Sequence, residues 1–180
     1  MKKFVVMVSL LTACLPAARS QVFMTRTGFI GFYSKTPFED IKAENNQVFA
    51  AIDAGRRNIA FAVLLKGFVF TKELMQEHFN ENYVESDKYP KASFNGSYTG
   101  DVNLNKEGAY HVTVKGNLTL HNVTRAIEES ATMEVKGGKL SGSADFLIKP
   151  EDFGISIPSI VRDKIAREMT IHVRIDCTPK

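Results

Sequence analysis

The sequence predicts an all-β fold, an eight-stranded antiparallel barrel with two short helices. Through residues 110–148, apolar or small side chains occupy every second position in three successive segments. This period of two is typical of strands with one buried face. Gly137 and Gly138 separate the second and third segments, and glycines permit the positive φ angles of a two-residue hairpin turn. Such short connections favour an up-and-down barrel over a two-sheet sandwich.

The other strands follow from the same alternation and from turn residues. We expect strands over residues 25–33, 48–53, 58–70 and 92–98 before the alternating region, and a last strand over 169–177 after it. Pro37 and the Asp53-Ala54-Gly55 sequence supply turns between the first three strands. Gly67 is expected to mark a bulge that changes the buried face of the third strand. Together with the three segments of residues 110–148, this makes eight strands.

Two segments have helical spacing. Thr71 is expected to cap the first helix, and Pro158 to stand near the start of the second, where its missing N–H does no harm. The residues that share a side of each helix are Leu74, Met75, His78 and Phe79 in the first, and Ile157, Ile160, Val161 and Ile165 in the second.

The N-terminal segment has the three parts of a secretory signal. Lys2 and Lys3 precede an apolar run over residues 4–15, and Ala18-Arg19-Ser20 provides small residues beside a cleavage site. The run is too short and too interrupted for the roughly 20 residues of a membrane span. We therefore expect a signal peptide over residues 1–20, cleavage after Ser20, and a periplasmic or secreted domain over residues 21–180. Leu11-Thr12-Ala13-Cys14 resembles a bacterial lipobox, so a lipoprotein anchored through Cys14 is the alternative.

Charge and cysteine content indicate which partners and which covalent cross-links to expect. The formal charge of +3 includes Lys2, Lys3 and Arg19, and the rest of the chain has 20 basic and 20 acidic residues. Without a basic cluster, nucleic acid is not an expected partner. Cys177 is the only cysteine after the leader, which excludes an intramolecular disulfide, and its spacing predicts a buried side chain.

Three motifs resemble those of the YceI-like lipid- and polyisoprenoid-binding proteins of the bacterial periplasm. They are the strand entry Tyr89-Pro90-Lys91-Ala92-Ser93-Phe94, the segment from Val114-Lys115-Gly116 to Asn122-Val123-Thr124, and Phe146 with the following Asp152-Phe153-Gly154-Ile155. The resemblance covers most of the mature chain, but departs on the N-terminal side, where the strands are rich in Phe. It implies a lipocalin-like barrel whose apolar lumen takes the tail of an isoprenoid such as a quinone or a polyprenyl lipid.

This resemblance agrees with the residues themselves, because 13 Phe, no Trp and two amphipathic helices suit an aromatic-lined tunnel with a helical lid. The candidate ligand-binding residues are Phe61, Met75, Phe79, Phe94, Tyr98, Val112, Val114, Leu118, Met133, Phe146, Ile160, Ile165 and Ile171. The alternative is an exported interaction or structural module whose barrel is filled by the same side chains. We also expect membrane contact to be transient, or to occur through a lipid on Cys14.

Glu129 falls on the inward-facing set between Ile127 and Ala131, where an uncompensated carboxylate is costly. Either a bulge turns it outward, which we favour, or it meets a ligand head group.

Motifs for catalysis are missing from the sequence. It contains no G-x-S-x-G, no glycine-rich phosphate loop and no Cys–His pairing. His111, His121 and His172 lie on polar faces, and His78 has no second His one turn away, so a metal site is not indicated. We therefore expect a binding protein without enzyme activity, cofactor or metal.

Overall fold

The computed structural model describes residues 21–180, so the expected signal peptide, its cleavage site and Cys14 lie outside the described residues. The strands are β1 (Val22–Lys35), β2 (Asp40–Asp53), β3 (Asn58–Leu64), β4 (Val69–Phe70), β5 (Lys91–Thr99), β6 (Gly108–Leu120), β7 (Val123–Lys136), β8 (Lys139–Ile148) and β9 (Met169–Pro179). The helical segments are α1 (Glu73–His78), a π-helical turn (Phe79–Tyr83) and 3-10 turns at Leu65–Gly67, Pro150–Phe153 and Ser159–Lys164.

Eight of these strands form a closed antiparallel barrel. Their order is β1-β9-β8-β7-β6-β5-β3-β2, and β2 pairs back onto β1. The short strand β4 is an addition that pairs with Ala43 and Glu44 on the edge of β2. The all-β, eight-stranded, lipocalin-like barrel predicted from the alternation is confirmed.

Two-residue turns join the strands of the regular region. Gly137 and Gly138 have φ angles of 56° and 73° and link β7 to β8, as the sequence predicts. His121 and Asn122 link β6 to β7 with φ angles of 50° and 60°, although neither is glycine. Asn tolerates this left-handed conformation better than most residues, so the second turn keeps the same hairpin geometry.

The third predicted strand, residues 58–70, is not continuous. It stops at Leu64, and a 3-10 turn replaces the bulge expected at Gly67. A Cβ on Gly67 would lie 2.6 Å from the side-chain nitrogen of Asn45, which is buried and donates to the carbonyl oxygen of Leu64 at 3.0 Å. The chain therefore turns closely over Asn45, and β4 then pairs with β2 instead of extending β3.

Both helices differ in detail from their predictions. The N-cap of α1 is Lys72, not Thr71, and no side chain caps the helix. The second helix is a 3-10 turn, in which residues three apart share a face. Val161 and Lys164 therefore border the cavity at this end of the barrel, whereas Ile160 is 89% exposed.

The interior of the barrel differs between its two ends. At the end that holds the chain termini of the described part, Ile52, Leu140 and Cys177 are fully buried. The segment between β5 and β6 packs Val102 and Leu104 against this core. We call this half the plugged end. The burial predicted for Cys177 is confirmed. All the helical segments lie at the opposite end, which we call the helical end.

The wall of the barrel has a long gap in its hydrogen bonding between β7 and β8. β7 and β8 pair only from Lys136 and Lys139 to Thr132 and Ser143. Towards the helical end, β7 continues to pair with β6 as far as Val123, and β8 with β9 as far as Ile148. The two strands are therefore unpaired with each other over residues 123–131 and 144–148. We call this gap the β7–β8 seam.

Candidate functional site

The helical end contains an apolar cavity of about 250 Å³, which we call the outer compartment. One side is an aromatic cluster in which the ring centroid of Phe79 lies 5.4, 5.7 and 5.1 Å from those of Phe32, Phe68 and Phe70. Ring pairs at such distances add stabilisation beyond the area that they bury. The π-helical turn after α1 therefore packs Phe79 onto aromatic rings from β1, from β4 and from Phe68 just before β4, and together they form an apolar wall.

A second apolar cavity of about 140 Å³, the inner compartment, lies deeper in the barrel. The residues that line both compartments are Ile30, Val63, Ala92, Leu118 and Phe146. Along β9, Met169 and Ile171 line the outer compartment, and Val173 and Ile175 line the inner one. At about 3.3 Å per residue, the lined stretch of β9 is roughly 20 Å long. The two compartments thus adjoin along the barrel, and we call them together the lumen, which ends at the plugged core.

A pair of glycines helps to keep this lumen open. Gly96 on β5 pairs with Gly116 on β6, and both occupy inward-facing positions. The ring of Phe94 reaches over them, since a Cβ at either glycine would lie 2.7 Å from its ring carbon. The Phe94 ring can therefore lie against the wall. Larger residues in place of the two glycines would push it into the lumen.

Few polar side chains line the outer compartment. Glu39 and Lys164 are its charged residues, and His78 and Tyr83 add further polar groups. A hydrogen bond from Lys72 lowers the pKa of Glu39, and the positive charges of Lys72 and Lys164 act in the same direction. Burial raises the pKa of the Tyr83 phenol. Because Glu39, His78 and Lys164 come from the β1–β2 turn, α1 and the last 3-10 turn, these three elements surround the mouth of the lumen.

Glu129 lines the inner compartment. The bulge that we favoured at this position is wrong, because β6 and β7 pair without a shift from Gly108 and Val135 to Leu120 and Val123. Glu129 stands opposite Val114 in this ladder. The uninterrupted register keeps every odd-numbered residue of this part of β7 on the inner face, which includes the carboxylate.

The structure brings most of the predicted site residues to the lumen. Those that line the outer compartment are Met75, Phe79, Ile165 and Ile171. Those that line the inner compartment are Phe61, Phe94, Val114 and Met133, and Leu118 and Phe146 line both. Tyr98 and Val112 lie in the plugged end, where they are 3% and 4% exposed, and Ile160 lies on the surface. The role of these residues in binding remains a prediction.

Some lining residues were missed from the sequence. Phe32, Phe68 and Phe70 form the aromatic wall but were not among the candidates. A signal was present, since Phe68 and Phe70 alternate directly after Gly67. Ala92 was also missed, although it belongs to the inward-facing set of β5 with Phe94.

Within residues 21–180, no group of three His, Cys, Asp or Glu side chains is placed to hold a metal ion. No helix in this part of the chain has the length and apolar character needed to cross a membrane.

Comparisons with known proteins extend these observations. A search of curated proteins finds no significant match. The structure is similar to a polyisoprenoid binding domain from Saccharophagus degradans implicated in plant cell wall breakdown, with a TM-score of 0.76 and 13% identity over 90% of this chain and 100% of that one. It is also similar to Burkholderia cenocepacia BcnA, with a TM-score of 0.71 and 13% identity over 84% of this chain and 96% of that one.

A YceI protein of Campylobacter jejuni is a further structural neighbour, with a TM-score of 0.55 and 13% identity over 100% of this chain and 99% of that one. At these identities the neighbours establish the fold. The family model of the YceI-like domain matches residues 16–177, which is most of the chain. The chain therefore belongs to the YceI-like domain family.

Proposed function

We propose that this protein is an exported carrier that holds the tail of an isoprenoid lipid, such as a quinone or a polyprenyl chain, in the lumen of its barrel. The observation that carries the proposal is the pair of joined apolar compartments beneath the helical end. Ligand pockets typically measure about 300–1,000 Å³, a range that the two compartments reach only together. An elongated cavity of this kind suits a long, flexible, apolar chain. A polyisoprenoid-binding domain among the structural neighbours adds support.

The energetics favour tail burial. Each carbon moved from water into an apolar site contributes about 0.8 kcal/mol, so ten carbons give about 8 kcal/mol before ordering costs. That is about the free energy of a micromolar complex. The lumen needs no specific polar contact to reach this affinity.

The alternative is a structural module with a filled barrel. It has support only from the plugged end, where Leu140 and Cys177 are fully buried and line neither compartment. The helical half retains a cavity of about 250 Å³ beside the aromatic cluster. A protein that used its own side chains to fill the barrel would not benefit from this void, because unfilled volume lowers stability.

Native mass spectrometry of protein purified from an exporting bacterium, together with solvent extraction, tests the proposal. We expect a co-purifying lipid of defined mass that extraction removes and that quinone or polyprenol probes replace. Protein that carries no lipid and binds neither probe would instead support the filled module.

Delivery to and from a bilayer would use the mouth of the lumen. Phe38, Leu74 and Ile160 are 73%, 61% and 89% exposed, and each belongs to one of the three elements around the mouth. Exposed apolar side chains next to an opening are typical of membrane interaction sites. We propose that they enter the headgroup region transiently while a tail passes between bilayer and lumen.

Vesicle assays test this contact. Changing Phe38, Leu74 and Ile160 to Ser should slow transfer of a fluorescent isoprenoid between vesicles, while affinity for the same probe in detergent-free solution stays within about threefold. Leu147→Ser is the matched control, because Leu147 is 56% exposed on the outer wall of β8. Equal transfer rates in the triple variant and the control would contradict the docking of the mouth.

Export remains part of the proposal. The carbonyl oxygen of Gln21 accepts a hydrogen bond from the Ala54 amide at 3.1 Å, which places the start of the described chain at the plugged end. A lipid on Cys14 would therefore tether the protein by the end opposite to the mouth. Cleavage after Ser20 leaves the mouth free to approach a bilayer, and we favour it for that reason. The mass of the mature protein distinguishes a start at Gln21 from an acylated Cys14.

The proposed role is binding rather than catalysis. Most side chains around both compartments are apolar, and the polar groups of the outer one are confined to its mouth. Incubation of a purified isoprenoid with the protein should return it chemically unchanged.

A further inference from the structure

The β7–β8 seam lies next to the inner compartment. Thr132 and Ser143 form the last rung at which these strands pair, and both also border the inner compartment. By the alternation of the strands, these two residues belong to the outer face of the barrel. Beyond this rung, Glu129 and Ala131 of β7 and Ala144 of β8 also line the compartment, so the inner compartment borders the stretch of wall where the two strands are unpaired.

Only one charged side chain lines the inner compartment, and it lies at this point. Glu129 is three residues from Thr132 on β7 and faces inward. Among the described residues it has no hydrogen bond or ion pair. Its neighbour Glu128 faces outward and pairs with Lys115 at 2.9 Å. The two adjacent carboxylates are thus in opposite situations, one paired at the surface and one unpaired at an apolar cavity.

An unpaired carboxylate in such a place needs an explanation. A charge placed against apolar walls is costly unless it is solvated or paired, and a neutral residue such as the inward-facing Ala131 would avoid that cost. Glu129 is partly exposed to solvent, and the unpaired backbone edges of β7 and β8 leave further N–H and C=O groups beside it. The polar surroundings of Glu129 therefore form a small site in an otherwise apolar lumen.

We propose that the β7–β8 seam is a head-group site in which Glu129 accepts a hydrogen bond from the polar end of the bound lipid. This inference rests on the proposed function, since it supposes that a tail occupies the lumen. A carboxylate accepts hydrogen bonds and attracts cations. The site therefore takes a lipid whose end carries a hydroxyl or an ammonium group, and it disfavours a phosphate through like-charge repulsion.

Head-group selectivity tests the inference. The probes are farnesol, farnesylamine, farnesyl methyl ether and farnesyl phosphate, which share one tail and differ in donor capacity and charge. Dissociation constants are measured for the wild type, Glu129→Gln and Glu128→Gln. The last is the matched control, because it removes the neighbouring carboxylate from the outer face.

We expect the wild type to bind farnesylamine about tenfold or more tightly than the ether, as a hydrogen bond to a charged group implies. Glu129→Gln should lose most of this preference and bind the phosphate more tightly, while its affinity for the ether stays unchanged. That unchanged affinity also shows that the variant is folded. Glu128→Gln should keep the ranking of the wild type.

The same ranking in Glu129→Gln and in the wild type would overturn the head-group site and leave the lipid carrier in place. Failure of all four probes to bind the wild type would overturn both proposals.

Discussion

Replacing Ala92 with Phe should close the passage between the two compartments. Ala92 lines both of them, and its small side chain on β5 stands opposite Val63 on β3. A phenyl ring at this position would project into the passage. A long tail would then be confined to an outer compartment too small for it, whereas a short tail would still fit there.

The size of the effect follows from the two volumes, about 140 Å³ for the inner compartment and about 250 Å³ for the outer one. If the carbons divide in proportion, about five of the fifteen in a farnesyl tail lie in the inner compartment, which is worth ~4 kcal/mol at ~0.8 kcal/mol per carbon. The affinity for farnesol should then fall by up to about 1,000-fold. Because the ring enters empty space, stability should change by less than about 1.5 kcal/mol.

Isothermal titration with farnesol and with the ten-carbon geraniol measures the effect. Geraniol should lose no more than the roughly tenfold contributed by a hydrogen bond to Glu129, because its tail fits the outer compartment alone. Ala126→Phe is the control, because Ala126 is exposed on the outer face of β7. Unchanged farnesol affinity in Ala92→Phe would refute the idea that one tail passes through both compartments.

Three further predictions concern stability and reactivity. Burial raises the pKa of the Cys177 thiol to about 11, so Ellman's reagent should not label the native protein at pH 8, and rapid labelling would contradict this. The free energy of unfolding should also decrease above about pH 9, because the thiol then ionises in the unfolded chain but not in the folded one. Gly116→Ala should destabilise the protein by about 2 kcal/mol or more in urea unfolding, because the added Cβ would lie 2.4 Å from the carbonyl oxygen of Asn95. Gly55→Ala should have little effect, since its added Cβ would meet no atom closer than 3.5 Å, and equal effects would argue against close packing at Gly116. A hydrogen bond from His121 lowers the pKa of Glu85, so the stabilisation by the Glu85 carboxylate is present above about pH 4.3 and is lost as the pH falls through its lower pKa in the folded protein. The stability difference between wild type and Glu85→Gln should therefore shrink below pH 4, and a constant difference would contradict this prediction.

The barrel was predictable because its signal is local. Residues 110–148 alternate without a break, and their register requires only that one face be buried. Gly137 and Gly138 then fix the hairpin turn, since few other residues adopt two consecutive positive φ angles. The same rule predicted that Glu129 faces inward. The error there was to add a bulge to avoid an unpaired carboxylate, when the structure keeps the register and leaves the carboxylate beside the seam.

The division of the barrel into a plugged half and a hollow half was not predictable. Val112 and Val114 have the same residue type and the same inward orientation, yet Val112 is 4% exposed in the core and Val114 lines the inner compartment. The difference depends on the side chains that each valine meets across the barrel. Those contacts join residues far apart in the sequence, so no local pattern encodes them. Ile160 was misplaced for another reason, because a 3-10 turn and an α-helix direct the same residue to different sides.

The most direct test of the account is a methyl NMR titration of delipidated protein with farnesol. The account predicts saturable shifts of the methyl groups of Leu118 and Ile171, which line the outer compartment. The methyl groups of Leu140 and Val112, which are buried at the plugged end and line neither compartment, should not shift. Shifts confined to the plugged end, or the absence of any shift at saturating farnesol, would contradict an apolar lumen that receives a lipid tail.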